Sequence, residues 1–151
     1  MSWYSEVVKD LSKITDAISF FLAELELAKQ EIKLAGSIEK AAADIPGIFE
    51  HRFSQLQEIE AILNFLNIRF KKLKSNYFKK YLENYQRSLS SRDVEKYVDG
   101  EDEVVDFEEI INEFALLRNK WLGLIKSLDQ KSYSINNVIK LRCAGLDDAT
   151  L

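Results

Sequence analysis

The chain has 151 residues, a formal net charge of −4, five glycines and one proline, and this composition favours long helices over a turn-rich β fold. Its single cysteine, Cys143, excludes an internal disulfide framework and a multi-cysteine zinc site. No apolar run approaches the roughly 20 residues of a membrane span, and residues 1–6 lack the basic and apolar regions of a signal peptide. We therefore expect one helical domain over residues 1–151, without a membrane anchor, in the cytoplasm.

The first predicted element is a helix over residues 5–35, where apolar residues recur every three or four positions through four heptads. Phe20, Leu22 and Leu27 widen the apolar stripe, which indicates more than one partner helix. Gly36 follows the stripe and favours a helix end there. The stripe consists of Val7, Leu11, Ile14, Ile18, Phe21, Leu25, Ala28, Ile32 and Ala35.

A second long helix is predicted over residues 46–87. Pro46, the only proline, suits the first turn of a helix and disfavours helix at Ile45 before it. At a rise of about 1.5 Å per residue this helix is about 60 Å long, which argues for a bundle or an oligomer around it. Its heptad seam consists of Leu56, Ile59, Leu63, Leu66, Phe70, Leu73 and Tyr77.

Residues 88–151 are predicted to form a C-terminal helical assembly region. Ser90 with Asp93 resembles a capping box and opens a short helix over residues 92–98. The acidic loop over residues 99–103 lacks the ligand spacing of a calcium loop, so we predict no metal site.

A longer helix follows over residues 107–128, with Asp106 as its cap. We predict that it ends at residues 129–132 and that Ser134 caps a last short helix over residues 135–144. No segment shows sustained β alternation. The predicted fold class is therefore all-α: long heptad-patterned helices with short C-terminal helices, assembling as an oligomeric helical bundle or ring.

The sequence contains no constellation of catalytic residues that rises above background. His51 is the only histidine, which excludes the paired Glu-x-x-His motifs of di-iron bundles and leaves no Ser-His-Asp arrangement to argue for. No glycine-rich phosphate loop is present. We predict that the protein is not an enzyme and uses no cofactor.

The segment over residues 69–92 is basic in an otherwise acidic chain, with a net charge of +7 against −6 for residues 93–151. Cations along a helix favour a polyanion, whose binding weakens as salt rises. Phe78, Tyr81 and Tyr85 offer ring faces to unpaired bases, which favours single-stranded over duplex nucleic acid. The basic residues are Arg69, Lys71, Lys72, Lys74, Lys79, Lys80, Arg87 and Arg92.

Two alternatives account for the same segment. In the first, Tyr77 continues the heptad seam and belongs to the core, and the lysines form a solvated face or pair with acidic residues of a neighbouring subunit. This describes a structural or adaptor protein whose basic face docks on an acidic partner. Lysines interleaved with aromatic residues also suit the surface of an anionic membrane.

Two stretches resemble the phage UvsY-type recombination mediators. The first is KLKSNYFKKYLENY, residues 72–85, similar to the family's run of basic, polar, tyrosine and aromatic positions. The second is SYSINNVIKLRCAG, residues 132–145, similar to the family's ending of an aromatic, spaced aliphatics and an arginine. The resemblance covers about residues 55–145. The similar positions are Lys72, Lys74, Asn76, Tyr77, Phe78, Tyr133, Ile135, Val138, Leu141 and Arg142.

The resemblance implies a homo-oligomeric ring that binds single-stranded DNA, loosens the single-strand-binding protein and helps load a recombinase. Lys72 and Lys74 take the DNA-contacting positions, although they lie on different faces of a straight helix. A phage-encoded protein of this kind works in the host-cell cytoplasm. From the basic segment and the resemblance together, the predicted nucleic-acid-binding residues are Arg69, Lys71, Lys72, Lys74, Tyr77, Phe78, Lys79, Lys80 and Arg87.

The resemblance also assigns the assembly of the oligomer to the C-terminal helices. The predicted oligomerisation residues are Phe107, Phe114, Trp121, Leu124, Ile135, Val138 and Leu141.

Overall fold

A computed structural model describes residues 2–84 and 88–145, and every regular element within these two ranges is helical. The predicted all-α class is therefore confirmed, whereas assembly into an oligomer stays a prediction. The elements are α1 (Trp3–Lys9), a 3₁₀ turn (Leu11–Lys13), α2 (Ile14–Ile32), α3 (Ile38–Asn84), α4 (Ser91–Asp99) and α5 (Asp102–Cys143).

The helices form two compact units, which are described separately. Among the described residues, the first unit comprises those up to Ile59 and from Leu117 onwards, and the second comprises those from Glu60 to Leu116. Helices α3 and α5 each contribute residues to both units. The prediction of a single domain over residues 1–151 stays a prediction.

The predicted continuity of the helix over residues 5–35 is wrong. The chain is extended at Asp10, whose carboxylate accepts hydrogen bonds from the Ser12 backbone N–H (3.0 Å) and hydroxyl (2.7 Å). This local bonding competes with helical hydrogen bonds and separates α1 from α2. Helix α2 also ends earlier than predicted, at Ile32, because Lys33 is extended.

The predicted start of the second long helix is wrong as well, since α3 begins at Ile38 and contains Pro46. The Ser37 hydroxyl accepts a hydrogen bond from the Lys40 N–H (3.3 Å) and so caps the first turn. Pro46 has no N–H, which removes one helical hydrogen bond. Burial of Ile38 and Ile45 before the proline offsets this loss.

In the C-terminal region, α4 is confirmed together with its cap. The Ser90 hydroxyl accepts a hydrogen bond from the Asp93 N–H at 3.2 Å. Asp106, by contrast, does not open a helix, because α5 has already begun at Asp102.

The predicted break at residues 129–132 and the separate helix over residues 135–144 are also wrong. Helix α5 includes both stretches and runs without a break from Asp102 to Cys143, a length of 42 residues. Leu128 and Ile135 are seven positions apart and both are buried, so one apolar face continues past the polar stretch between them. Packing of this face holds the helix together where local sequence signals favoured an end.

The first unit has an apolar core built around two aromatic rings. Phe21 of α2 and Trp121 of α5 are fully buried and meet edge to face, with 6.3 Å between ring centroids and 88° between ring planes. Around them lie buried aliphatic residues of the same unit. These are Val7, Ile14, Ile18, Leu25, Ile38, Ile45, Leu56, Ile59, Leu117, Leu124, Leu128 and Ile135.

A buried ion network joins α2 to α3 in the same unit. The Arg52 guanidinium donates two hydrogen bonds to Glu31 (2.8 and 2.7 Å), one to Glu24 (2.7 Å) and one to Gln55 (2.9 Å). The Gln55 amide in turn donates to Glu24 at 2.9 Å. The hydrogen bond from Gln55, and then the single hydrogen bond and the positive charge of Arg52, lower the pKa of the Glu24 carboxyl.

Candidate nucleic-acid interface

One side of the basic segment packs into the core of the second unit. Val94, Val98 and Val104, from α4 and the start of α5, are almost fully buried there. Because α3 supplies most of the residues that surround these valines, its inner side is part of the core. The residues packed against the valines are Phe70, Leu73, Tyr77, Phe78, Tyr81 and Leu89.

Two tyrosines of α3 point their hydroxyls at acidic residues of the same chain. The Tyr77 hydroxyl donates to the Glu103 carboxylate at 2.6 Å, and this hydrogen bond raises the pKa of Tyr77 to about 12. The Tyr81 hydroxyl donates to Glu101, and its ring stacks on Tyr97 with 5.7 Å between centroids. These rings are therefore engaged within the unit, as the alternative that assigned Tyr77 to the core requires.

Lys74 lies at the edge of this inner side. Its ammonium forms an ion pair with Asp99 at 2.7 Å and lies 5.6 Å from the centre of the Phe70 ring. Both charged side chains are partly exposed, which makes the pair a weak one. Lys74 therefore has a neighbouring carboxylate and does not share the surroundings of Lys72.

The exposed surface of α3 carries an outer basic face, which we define as Arg69, Lys72, Lys79 and Lys80. All four side chains are exposed, and within residues 2–84 and 88–145 none of them forms an ion pair with a carboxylate. Arg69 and Lys80 are eleven positions apart, which corresponds to about 17 Å along the helix. Asn76 is exposed on the same side.

Two of the four cations lie over aromatic rings. The Arg69 guanidinium is 5.1 Å from the centre of the Phe65 ring, and the Lys80 ammonium is 5.7 Å from the centre of the Tyr77 ring. Such contacts orient the side chains and leave their charge exposed to solvent. Lys71 is also exposed, at the flank of the outer basic face.

The predicted nucleic-acid-binding residues thus fall into three groups. The outer basic face and Lys71 are exposed, whereas Lys74, Tyr77 and Phe78 belong to the inner side or its edge. Arg87 lies outside the described residues. Binding of nucleic acid by any of them stays a prediction.

The predicted oligomerisation residues also differ in their surroundings. Phe114, Trp121, Leu124 and Ile135 are buried within the single chain. Phe107 stacks on Phe70 of the second unit, with 5.8 Å between centroids. Val138 is half-buried and Leu141 is 42% exposed. A role between subunits is therefore not needed to explain the four buried residues.

The ion network of Arg52 is not among the sequence-based predictions, although the sequence contains a signal for it. Arg52 lies four positions before Leu56 and therefore occupies an apolar position of the heptad seam. Glu24 and Glu31 are seven positions apart and share one face of α2. A charged residue on an apolar seam predicts a buried partner of opposite charge.

In the described part of the chain, no three histidine, cysteine or acidic side chains are grouped so that they can hold a metal ion. None of the helices described here combines the length and apolarity that crossing a bilayer requires.

No protein-family model, no curated protein and no solved structure matches this chain. The resemblance to UvsY-type mediators therefore rests on the two sequence stretches given above and stays a prediction.

Proposed function

We propose that the chain is a non-enzymatic recombination mediator that binds single-stranded DNA through the outer basic face of α3 and helps load a recombinase onto DNA covered by single-strand-binding protein. The observation that carries the proposal is the set of four exposed cations, Arg69, Lys72, Lys79 and Lys80, in a chain of net charge −4. A row of cations about 17 Å long is able to contact consecutive phosphates of one strand.

The choice of this polyanion rests on the sequence. Resemblance of residues 72–85 and 132–145 to UvsY-type mediators favours single-stranded DNA over duplex and suggests the recombinase and the single-strand-binding protein as partners. Because Tyr77 and Tyr81 contribute to the core of the second unit, the proposal assigns DNA binding to charge and not to base stacking.

Replacing Arg69 and Lys80 together by alanine should weaken binding of labelled oligo-dT at low salt. Each lost phosphate contact lowers the salt dependence of the binding constant by about 0.7 in a plot of log K against log salt, so the pair should lower the slope by about 1.4. Fluorescence anisotropy over a salt series measures both quantities.

The matched control replaces Lys120 and Lys126, exposed lysines of α5 in the first unit, by alanine. This variant has the same net charge and should bind oligo-dT as the wild type does. An unchanged slope in the Arg69 and Lys80 variant, or an equal loss in the control, would contradict binding by the outer basic face.

A second comparison separates Lys72 from Lys74. Lys74→Ala should reduce oligo-dT affinity less than Lys72→Ala does, because Lys74 already pairs with Asp99 at 2.7 Å whereas Lys72 has no carboxylate partner in the described chain. Anisotropy titrations of the two single variants at one low salt concentration test this order. Equal losses of affinity in the two variants would contradict this order and would support equal contacts of Lys72 and Lys74 with DNA, as the resemblance implies.

Loading of a recombinase requires a separate assay. If the proposal is right, adding the chain should shorten the lag before recombinase activity on DNA saturated with single-strand-binding protein, and the Arg69 and Lys80 variant should shorten it less. If the chain binds oligo-dT but leaves the lag unchanged, the DNA-binding part of the proposal holds and the mediator part is contradicted.

The adaptor protein is the second candidate, and the inward packing of the aromatic residues favours it. Phe78 and Tyr81 pack against the core of the second unit, and Tyr85 lies outside the described residues. The four cations of the outer basic face are equally suited to an acidic protein surface. This candidate predicts no measurable binding of oligo-dT at low salt, so the same titration distinguishes the two functions.

A further inference from the structure

The outer surface of α3 in the second unit carries two exposed aliphatic side chains that no intramolecular core explains. Ile68 is 66% exposed and Leu82 is 52% exposed. Between them lie Lys72, Ser75 and Lys79, all exposed, at successive spacings of four, three, four and three residues. This is the spacing of a helix face that packs against another helix. We call these five residues the α3 stripe.

Helix α5 carries a stripe of the same spacing and opposite charge in the same unit. Asp102, Asp106, Glu109, Glu113 and Leu116 are spaced by four, three, four and three residues, and all five are exposed. Leu116 is 56% exposed. In the described chain, none of the four acidic residues forms an ion pair. We call these residues the α5 stripe.

We propose that the α3 stripe of one copy docks on the α5 stripe of a second copy. Because the two stripes share one spacing, aligning them end to end brings both lysines opposite acidic residues in either helix direction, and one end of the contact joins two aliphatic side chains. In the antiparallel alignment the matched pairs are Ile68 with Leu116, Lys72 with Glu113, Ser75 with Glu109, Lys79 with Asp106 and, at the other end, Leu82 with Asp102.

Charge selects this pairing over the alternatives. Two α3 stripes would place lysines opposite lysines, and two α5 stripes would place acidic residues opposite one another, both of which are repulsive. Within one copy, α3 and α5 meet through their inner sides, as in the stacking of Phe70 on Phe107, so the two exposed stripes do not cover each other.

The contact is therefore head-to-tail, with α3 of one copy against α5 of the next. A contact of this type generates a closed ring or an open chain of copies. The inference does not rest on the proposed function, and its test contains no nucleic acid. Lys72 and Lys79 belong both to the α3 stripe and to the outer basic face, so self-association and DNA binding should compete for these two side chains.

Sedimentation velocity of the full chain tests the inference. The wild type should sediment as a multimer at low salt and dissociate as salt rises, because the pairs are exposed to solvent. Lys72→Glu with Lys79→Glu should weaken association by about tenfold or more, since acidic residues then face acidic residues. Asp106→Lys with Glu113→Lys should weaken association in the same way, because lysines then face lysines.

Mixing the two charge-reversed variants is the decisive experiment. Each variant alone places like charges opposite each other at the two matched pairs, Lys72 with Glu113 and Lys79 with Asp106. In an equimolar mixture, contacts between the two variants again join opposite charges at both pairs. The mixture should therefore assemble while neither variant does alone. Lys120→Glu with Lys126→Glu, on α5 in the first unit, changes the net charge as much as the lysine reversal and should assemble as the wild type does.

Several outcomes would overturn the inference: a wild type that is monomeric at low salt, a lysine-reversed variant that assembles normally, or a mixture of cooperatively folded variants that fails to assemble. Cooperative thermal unfolding of each variant establishes that it is folded. The Arg69 and Lys80 variant changes no residue of either stripe and should assemble normally, which separates a failure of self-association from a failure of DNA binding.

Discussion

Replacing Arg52 by alanine should lower the free energy of unfolding by about 3 kcal/mol. The side chain is only 5% exposed and holds Glu24 of α2, Glu31 at the end of α2 and Gln55 of α3 together. Removing one partner of a buried ion pair leaves the other without compensation, at a cost of about 3–5 kcal/mol. The lower end applies because the two carboxylates are 21% and 28% exposed and can turn towards water. Denaturation in urea measures the loss.

Two other substitutions provide reference values for the loss of unfolding free energy in Arg52→Ala. Lys29→Ala removes an exposed ion pair with Glu26 from the same helix, and it should change the free energy of unfolding by less than about 0.5 kcal/mol. Arg52→Lys keeps the charge but loses the two parallel hydrogen bonds to Glu31, so its loss should lie between the other two. A loss below about 1 kcal/mol for Arg52→Ala would mean that the network contributes no more than a surface pair.

The contribution of the network should depend on pH with a defined sign. The pKa of Glu24 is lowered in the folded chain from its ordinary value of 4.5, so its ionised form stabilises the fold above about pH 4.5. This stabilisation is lost as the pH falls through the folded pKa, because the protonated carboxyl accepts the Gln55 hydrogen bond less strongly and no longer pairs with Arg52. The difference between wild type and Arg52→Ala should therefore shrink on acidification below about pH 4.5.

The helical class and several elements were predictable because their signals are local. Heptad spacing placed α2, α3 and α5, and the side-chain cap at Ser90 fixed the start of α4. These signals need only residues a few positions apart, and nothing distant in the chain overrides them.

The helix ends were mispredicted where local and tertiary signals disagree. Pro46 favours a helix start, but burial of Ile38 and Ile45 extends α3 in front of it. The polar stretch after Leu128 favours an end, but burial of Ile135 continues α5. In both cases the burial of one aliphatic face contributes more free energy than a single lost or weakened helical hydrogen bond. Asp10 is the opposite case, where a side-chain hydrogen bond ends a helix that heptad spacing would continue.

The candidate site was predictable in its composition and not in its orientation. The charges of residues 69–92 are visible in the sequence, but the choice of inner and outer side depends on how α4 and the start of α5 pack against α3. Lys74 pairs with Asp99 and Tyr77 with Glu103 only because that packing brings them together. Sequence spacing therefore placed Lys72 and Lys74 on different faces without indicating which of them meets an acidic residue.

The acidic residues after residue 93 form two sets with different surroundings. Asp99, Glu101 and Glu103 bond to the inner side and edge of α3 within one chain. Acidic residues of the α5 stripe remain without ion pairs in the described chain and face solvent. This second set is available for contacts between molecules, so the proposed contact between copies uses Asp106 and Glu113 and not the residues that contact Tyr77 and Lys74.

Replacing Trp121 by alanine should lower the free energy of unfolding by about 3 kcal/mol, at the lower end of the values for a fully buried aromatic residue. The substitution opens a cavity beside Phe21, whose ring lies 6.3 Å from the indole. It also removes a buried indole N–H that has no hydrogen-bond partner among the described residues, which offsets part of the loss. Trp121→Phe keeps a ring in this place and should cost less. Chemical denaturation at two protein concentrations gives the free energies.

Leu141 provides the matched control, because it belongs to the same predicted oligomerisation set but is 42% exposed. Leu141→Ala should change the free energy of unfolding by less than about 0.5 kcal/mol. If Trp121 stabilises the single chain, the loss in Trp121→Ala will be the same at both protein concentrations. If Trp121 instead acts between subunits, the loss of unfolding free energy will vary with protein concentration, because association stabilises by mass action. The separated subunit will then be as stable as the wild-type subunit. Such a concentration dependence would show that Trp121 stabilises an interface between subunits and would contradict a role confined to the core of the single chain.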